Sequence, residues 1–134
     1  IFSPQHTKPD TRCENPVSLL DLYPTLVELC ALKNPPQELE GQSLVELLIH
    51  PNAATKQMAI TTQGKNNHSV RSRHHRYIQY ADGSEELYDH DNDPNEWNNL
   101  ASDDRYADTK KRLASFLPKI NAEPYLLQKK SDTN

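Results

Sequence analysis

Asn66-Asn67-His68-Ser69-Val70-Arg71 sets amide, imidazole and guanidinium donors in close succession, between a loop containing Gly64 and a segment of strand composition. Donors of these kinds suit a sulfate ester or a sugar carboxylate, which are gripped through charge-assisted and bidentate hydrogen bonds. Asn67, His68 and Arg71 are therefore the candidate substrate-binding residues, weighed against the local reasons for which Asn and His also populate loops. On that reading Asn67→Ala and His68→Ala raise KM or lower kcat of a complete enzyme. The basic run Arg71, Arg73, His74, His75, Arg76 offers further charge for an anion. Basic residues also line the wet face of an edge hairpin and blunt it against aggregation, and for His74 and His75 that plainer role is preferred.

Other clusters carry less chemistry. Asp89-His90-Asp91-Asn92-Asp93 begins like a calcium loop, but its sixth position is Pro94 rather than Gly and its twelfth is Leu100 rather than Glu. Capping of an acidic turn is the better account of these carboxylates. The 6 histidines suggest a metal, yet His74 and His75 would point to opposite faces of a strand, and His6, His50 and His90 fall in separate loops or element ends. Solvent-exposed histidines are the expectation, and no metal ligands are assigned. The 2 cysteines, Cys13 and Cys30, allow one disulfide or two free thiols, with Cys30 placed on a buried helix face. Gly41, Gly64 and Gly83 are too far apart for a phosphate-binding loop.

The elements that would position these groups are readable from period and punctuation. Residues 3–16 are polar and Pro-rich, a connecting loop. With Asp21 as N-cap, Pro24 falls in the first turn of a helix over 22–32, burying Leu22, Leu26 and Leu29. A short helix over 44–49 buries Leu44, Leu47 and Leu48, and Pro51 stops it. Strand composition follows at 58–62, 69–72 and 76–81. Asp82-Gly83 is a hairpin signal; a two-residue loop would pair Ile78 with Leu87, Tyr77 with Tyr88 and Arg76 with Asp89. After the acidic turn, in which Trp97 and Leu100 offer apolar area, Asp103 or Asp104 caps a helix through Leu117. Tyr106, Leu113, Phe116 and Leu117 form its apolar side.

The expected fold is α+β, a small antiparallel sheet of about four strands with helices on one side. The 134 residues make one domain's worth of chain, but 34% apolar content and 10 prolines are poor for a self-sufficient core. Ile1-Phe2 looks like a strand cut through its middle, so the core is expected to be completed by a neighbour. A net charge of −4 argues against nucleic acid as a partner, and no apolar run approaches the ~18–20 residues of a membrane span.

Leu87-Tyr88-Asp89, Asp93-Pro94, Glu96 and Asn99-Leu100-Ala101 resemble the run "LYD…DPxExxNLA" near the C-terminus of sulfatases. Asp21, Pro24 and Thr25 are similar to that family's "D-x-x-P-T" helix start, and Leu39-Glu40-Gly41-Gln42-Ser43-Leu44 to its "L-[DE]-G-x-S-L" segment. The nearest look is to the iduronate-2-sulfatase-like branch. The resemblance implies the C-terminal fragment of a calcium-dependent sulfuric ester hydrolase acting on sulfated carbohydrate. It divides the chain into 1–56, loop and helices from the end of the large sulfatase domain; 57–120, a C-terminal subdomain of sheet and helix; and 121–134, a mobile tail. The family's nucleophile, a formylglycine made from Cys/Ser-x-Pro-x-Arg, matches neither Cys13-Glu14-Asn15-Pro16 nor Cys30-Ala31-Leu32-Lys33. By resemblance, formylglycine and Ca2+ belong to an N-terminal sulfatase domain, the main partner, and the setting is periplasmic, secreted or lysosomal. The alternative is a non-catalytic module that binds anionic glycan or a protein partner.

Overall fold

The computed structural model describes residues 7–53, 55 and 57–123. Its centre is a four-stranded antiparallel sheet in the order β1-β2-β3-β4, with β1 Ala59–Thr62, β2 His68–Arg71, β3 His75–Gln79 and β4 Glu85–Asp89. Cross-strand register lines up Val70, Tyr77 and Leu87, all three fully buried. Helix α3, Ala107–Ala114, lays Leu113 on that row, and Leu100, Tyr106, Phe116 and Leu117 close around it. Lys110 fixes the helix by donating to Glu85 Oε2 and to the Ala101 carbonyl, both at 2.9 Å. The expected apolar side of the last helix is thus the one that packs, and the α+β class with an antiparallel sheet is what forms.

Register differs from expectation by one residue. Tyr77 faces Leu87, Arg76 faces Tyr88 and His75 faces Asp89. The cause is Gly83, whose φ of 86 makes it the third residue of a three-residue loop, with Gly83 N–H donating to the Tyr80 carbonyl and Tyr80 N–H to the Ser84 carbonyl. A one-residue slip changes which side chains share a face. Here it puts Tyr77 and Leu87 together under α3, and turns Arg76 and Tyr88 to the opposite face.

The other half of the chain is a helical arm. Ser18 Oγ accepts the Leu20 N–H and Asp21 accepts the Ser18 N–H, a capping box on a 3-10 turn, Leu19–Asp21. Helix α1, Leu22–Leu29, follows with Asp21 at its N-cap position, making no side-chain capping bond to it, and Pro24 in its first turn. It stops short of residue 32 because Ala31 adopts φ 49, and Leu32 N–H reaches back to the Val27 carbonyl. Its buried residues are Thr25 and Val27, whereas Leu22 and Leu26 are exposed, the reverse of the predicted face. Cys30 is exposed too, and both cysteines are free. Helix α2, Val45–Ile49, buries Leu47 beside Leu44.

Trp97 is 80% exposed, so only Leu100 of the predicted pair is packed. The Ile1-Phe2 strand and the tail beyond residue 123 lie outside the described residues; of the tail, Asn121 bonds His68 and Glu123 pairs with Lys65. Among the described residues no helix is long and apolar enough to cross a membrane.

Candidate functional site

β2 and β3 place Arg71 and Arg76 directly opposite each other. Two like charges at such a position repel and destabilise a hairpin unless an anion lies between them. Glu96 supplies it. Its Oε2 accepts from Arg76 Nη1 at 2.9 Å, and its Oε1 accepts from His90 Nε2 at 2.6 Å and lies 4.0 Å from Arg71 Nη1. Arg71 Nη1 also contacts His90 Nδ1. The same Nη1 lies 2.6 Å from His90 Nε2, so the guanidinium sits against both ring nitrogens. Arg76 is steadied further by donating Nε–H to Ser69 Oγ at 3.0 Å.

The acidic turn delivers Glu96 to this position. Asp89 Oδ1 accepts the Asp91 N–H and Oδ2 accepts from Asn92, while Asp93 Oδ2 accepts the Asn98 N–H. Glu96 itself takes φ 60, an uncommon conformation for a residue with a side chain, and such strain concentrates at functional sites. One carboxylate between two guanidiniums leaves positive charge uncompensated. Arg71, 40% exposed, opens into a cleft of about 470 Å3 bordered by Arg73, His74 and Pro94 and by the carboxylates Glu14 and Asp91.

Electrostatics follow from the packing. Burial pushes the Glu96 carboxyl up, but the His90 hydrogen bond and the charge and hydrogen bond of Arg76 outweigh it, leaving it below its ordinary value. Burial lowers Arg71, Glu96 opposes that, and the charge of Arg76 adds to the lowering. A carboxyl depressed on folding contributes stability above its unfolded pKa of roughly 4.3 and loses it as pH falls through the lower folded value. Glu96→Gln is therefore expected to flatten the acid limb of a stability–pH curve below about pH 5. Thermal melts from pH 7 to pH 3 check this, and an unchanged acid slope would remove Glu96 from the charge balance.

The three residues read from the sequence do not meet. His68 is buried on the α3 side of β2, its Nδ1 2.9 Å from Thr62 Oγ1 and its Nε2 2.6 Å from Asn121 Oδ1. Asn67 braces two loops, accepting the Ala81 N–H and donating to the Lys65 carbonyl. Arg71 alone of the three joins the charged cluster. His90 and Glu96 went unassigned because their partners depend on register, although the glutamate of the acidic run was visible. Neither His68 nor His90 is solvent-exposed, against expectation, since each is hydrogen-bonded on both ring nitrogens. His74 is exposed and pairs with Asp91 at 2.8 Å, and His75 packs its ring edge on Tyr106.

The turn carboxylates are occupied by N–H and amide donors, and no group of three or more His, Cys, Asp or Glu side chains among the described residues could hold a metal ion.

The family of N-sulphoglucosamine sulphohydrolase C-terminal regions matches residues 1–123. A sulfatase of Formosa agariphila is 39% identical over 133 residues, covering 92% of this chain and 26% of its own length. Arylsulfatase K of Xenopus laevis is 28% identical over 141 residues, 90% of this chain and 26% of its own. A solved 2-O GAG sulfatase shares the fold with a TM-score of 0.59 at 27% identity, over 71% of this chain and 22% of that one. The chain spans about a quarter of the length of these curated relatives. A match across nearly the whole chain, joined to a sheet and acidic turn built as that family's residues imply, means that this chain belongs to the sulfatases, as a C-terminal sulfatase region.

Proposed function

We propose that this chain forms one wall of the pocket of a sulfuric ester hydrolase and selects a sulfated carbohydrate, of the 2-O-sulfated uronate kind handled by iduronate-2-sulfatase-like enzymes. The observation that carries it is the Arg71–His90–Glu96–Arg76 cluster, two guanidiniums about one carboxylate with Arg71 half-exposed at a cleft. A guanidinium there would orient a sugar carboxylate or sulfate oxygen bidentately, as uronates and sulfate esters require. The 2-O GAG sulfatase that shares the fold supports the same substrate class.

The nucleophile and Ca2+ are assigned to a larger sulfatase domain, which would supply attack at sulfur and neutralisation of charge. Docking to it has a surface: Val17, Leu19, Leu20, Leu22, Tyr23 and Leu26 leave apolar area uncovered along the start of the helical arm. The test is a substrate panel on the full-length protein. A 2-O-sulfated uronate disaccharide is expected to exceed a 6-O-sulfated glucosamine by at least about ten-fold in kcat/KM, with the isolated chain inert. Equal or reversed preference would overturn the uronate assignment. Turnover by the isolated chain would overturn the division of labour.

A further inference from the structure

The Arg71 cleft does not end at Arg71. A second cleft, of about 430 Å3, lies on the α3 side of the β2–β3 turn, and the two share Arg73, His74 and Asp91. At this junction His74 and Asp91 satisfy each other. Arg73, at the tip of the turn, and Arg112, on α3, line the second cleft, and both are exposed. Neither guanidinium has a hydrogen bond or ion pair within the described residues, whereas Asp89 and Asp91 are engaged. Asp89 is taken by Asp91, Asn92 and Tyr106, and Asp91 by His74. Glu14, at the edge of the Arg71 cleft, lies 4.0 Å from Arg12.

Isolated surface arginines are ordinarily just solvated. These two differ in placement, since they line one cleft that adjoins the cleft at Arg71. His75 lines the same cleft, kept below its ordinary pKa chiefly by burial, with Asp89 opposing and the charge of Arg112 adding to the effect. Unpaired guanidiniums at successive points along a groove match a chain that carries anions at successive points.

We propose that Arg73 and Arg112 form a second anion subsite, which takes a sulfate or carboxylate on the sugar unit adjoining the one held at Arg71. The preferred substrate is then an oligosaccharide bearing several anions rather than a single sulfated unit. This deepens the proposed function and rests on it.

The experiment uses the full-length enzyme with two substrates sharing the same terminal sulfated unit, a disaccharide with one sulfate and a tetrasaccharide sulfated on the next unit as well. Wild type is expected to favour the tetrasaccharide by at least about ten-fold in kcat/KM at low salt, and to lose that advantage as NaCl screens it. Arg112→Ala, which lies outside the Arg71 cleft, is expected to lose activity selectively on the tetrasaccharide and stay within about two-fold on the disaccharide, and the double variant Arg73→Ala/Arg112→Ala to lose about ten-fold on the tetrasaccharide. Arg73→Lys/Arg112→Lys should keep part of the advantage, because the charge survives without the fork. Equal wild-type rates on both substrates, equal loss on both in Arg112→Ala, or no loss on either would overturn the subsite. Arg71→Ala in parallel separates the two readings: no effect of that change on either substrate sinks the Arg71 site itself, whereas its loss beside an unaffected Arg73/Arg112 variant sinks only the extension.

Discussion

Asp21→Ala is expected to destabilise the chain by about 3–5 kcal/mol, because three donors from three segments end on one buried carboxylate, and orphaned buried donors cost about 1–3 kcal/mol each. Asp21 is 3% exposed; its Oδ1 accepts the Gln42 N–H at 2.9 Å, and its Oδ2 accepts the Ser18 N–H at 2.7 Å and Gln57 Nε2 at 2.8 Å. Its own carbonyl takes the Thr25 hydroxyl, whose oxygen in turn accepts the Leu44 N–H at 2.9 Å. The helical arm, the Gly41 loop and the approach to β1 are thus joined at one side chain. Asp21→Asn keeps the shape but points an N–H2 at a donor, so it should recover only part of the loss. Gly41→Ala strikes the same junction by sterics, since a Cβ there would sit 2.1 Å from the Leu20 carbonyl oxygen. Overpacking of that kind costs about 1–3 kcal/mol or more, and the pair should fall short of additivity because one junction can be broken only once. Urea unfolding midpoints decide it; an Asp21→Ala midpoint equivalent to a change under about 0.5 kcal/mol would show that the junction holds nothing together.

The same junction shows what a sequence does and does not disclose. Asp21 and Pro24 mark a helix start by elementary capping chemistry, and the start was legible. The buried face of α1 was not, because periodicity counts leucines and cannot know that Thr25 is held inside by a hydrogen bond while Leu22 and Leu26 stay exposed. Apolar side chains left exposed along one helix are what a docking element looks like before its partner is present.

Strand identity was likewise readable from composition, but register rests on a single backbone angle at Gly83, and two-residue and three-residue loops both accept a glycine there. That ambiguity decides the site. In the two-residue register Arg76 would face Asp89 across β3–β4; in the observed one it faces Tyr88, and Glu96 meets the arginines that β2 and β3 set opposite each other. Arg71 could be found from residue type alone. Its partners could not, because Arg76, His90 and Glu96 become neighbours only after one loop length is settled.

The division within β2 leads to the sharpest kinetic expectation. Arg71→Ala in the full-length enzyme is expected to lower kcat/KM by about 10²-fold, the scale on which losing a bidentate charged contact registers. Arg71→Lys should restore less than half of that in free-energy terms, since an ammonium keeps charge but not the fork. Folding should survive both changes, because Arg71 lies 4.0 Å from Glu96 and 40% exposed, and Arg76 and His90 remain to balance that carboxylate. His68→Ala ought to behave in the opposite manner. Losing bonds to Thr62 and Asn121 at a site 4% exposed should cost about 1–3 kcal/mol of stability, with kcat/KM per folded molecule nearly unchanged. Both follow from strand geometry alone: residues 68 and 71 lie three apart, so alternation sends them to opposite faces, and one substrate cannot touch both side chains across a buried sheet. A His68→Ala enzyme that folds normally yet loses as much kcat/KM as Arg71→Ala would contradict this assignment of faces, and with it the placement of the pocket on the Arg71 side.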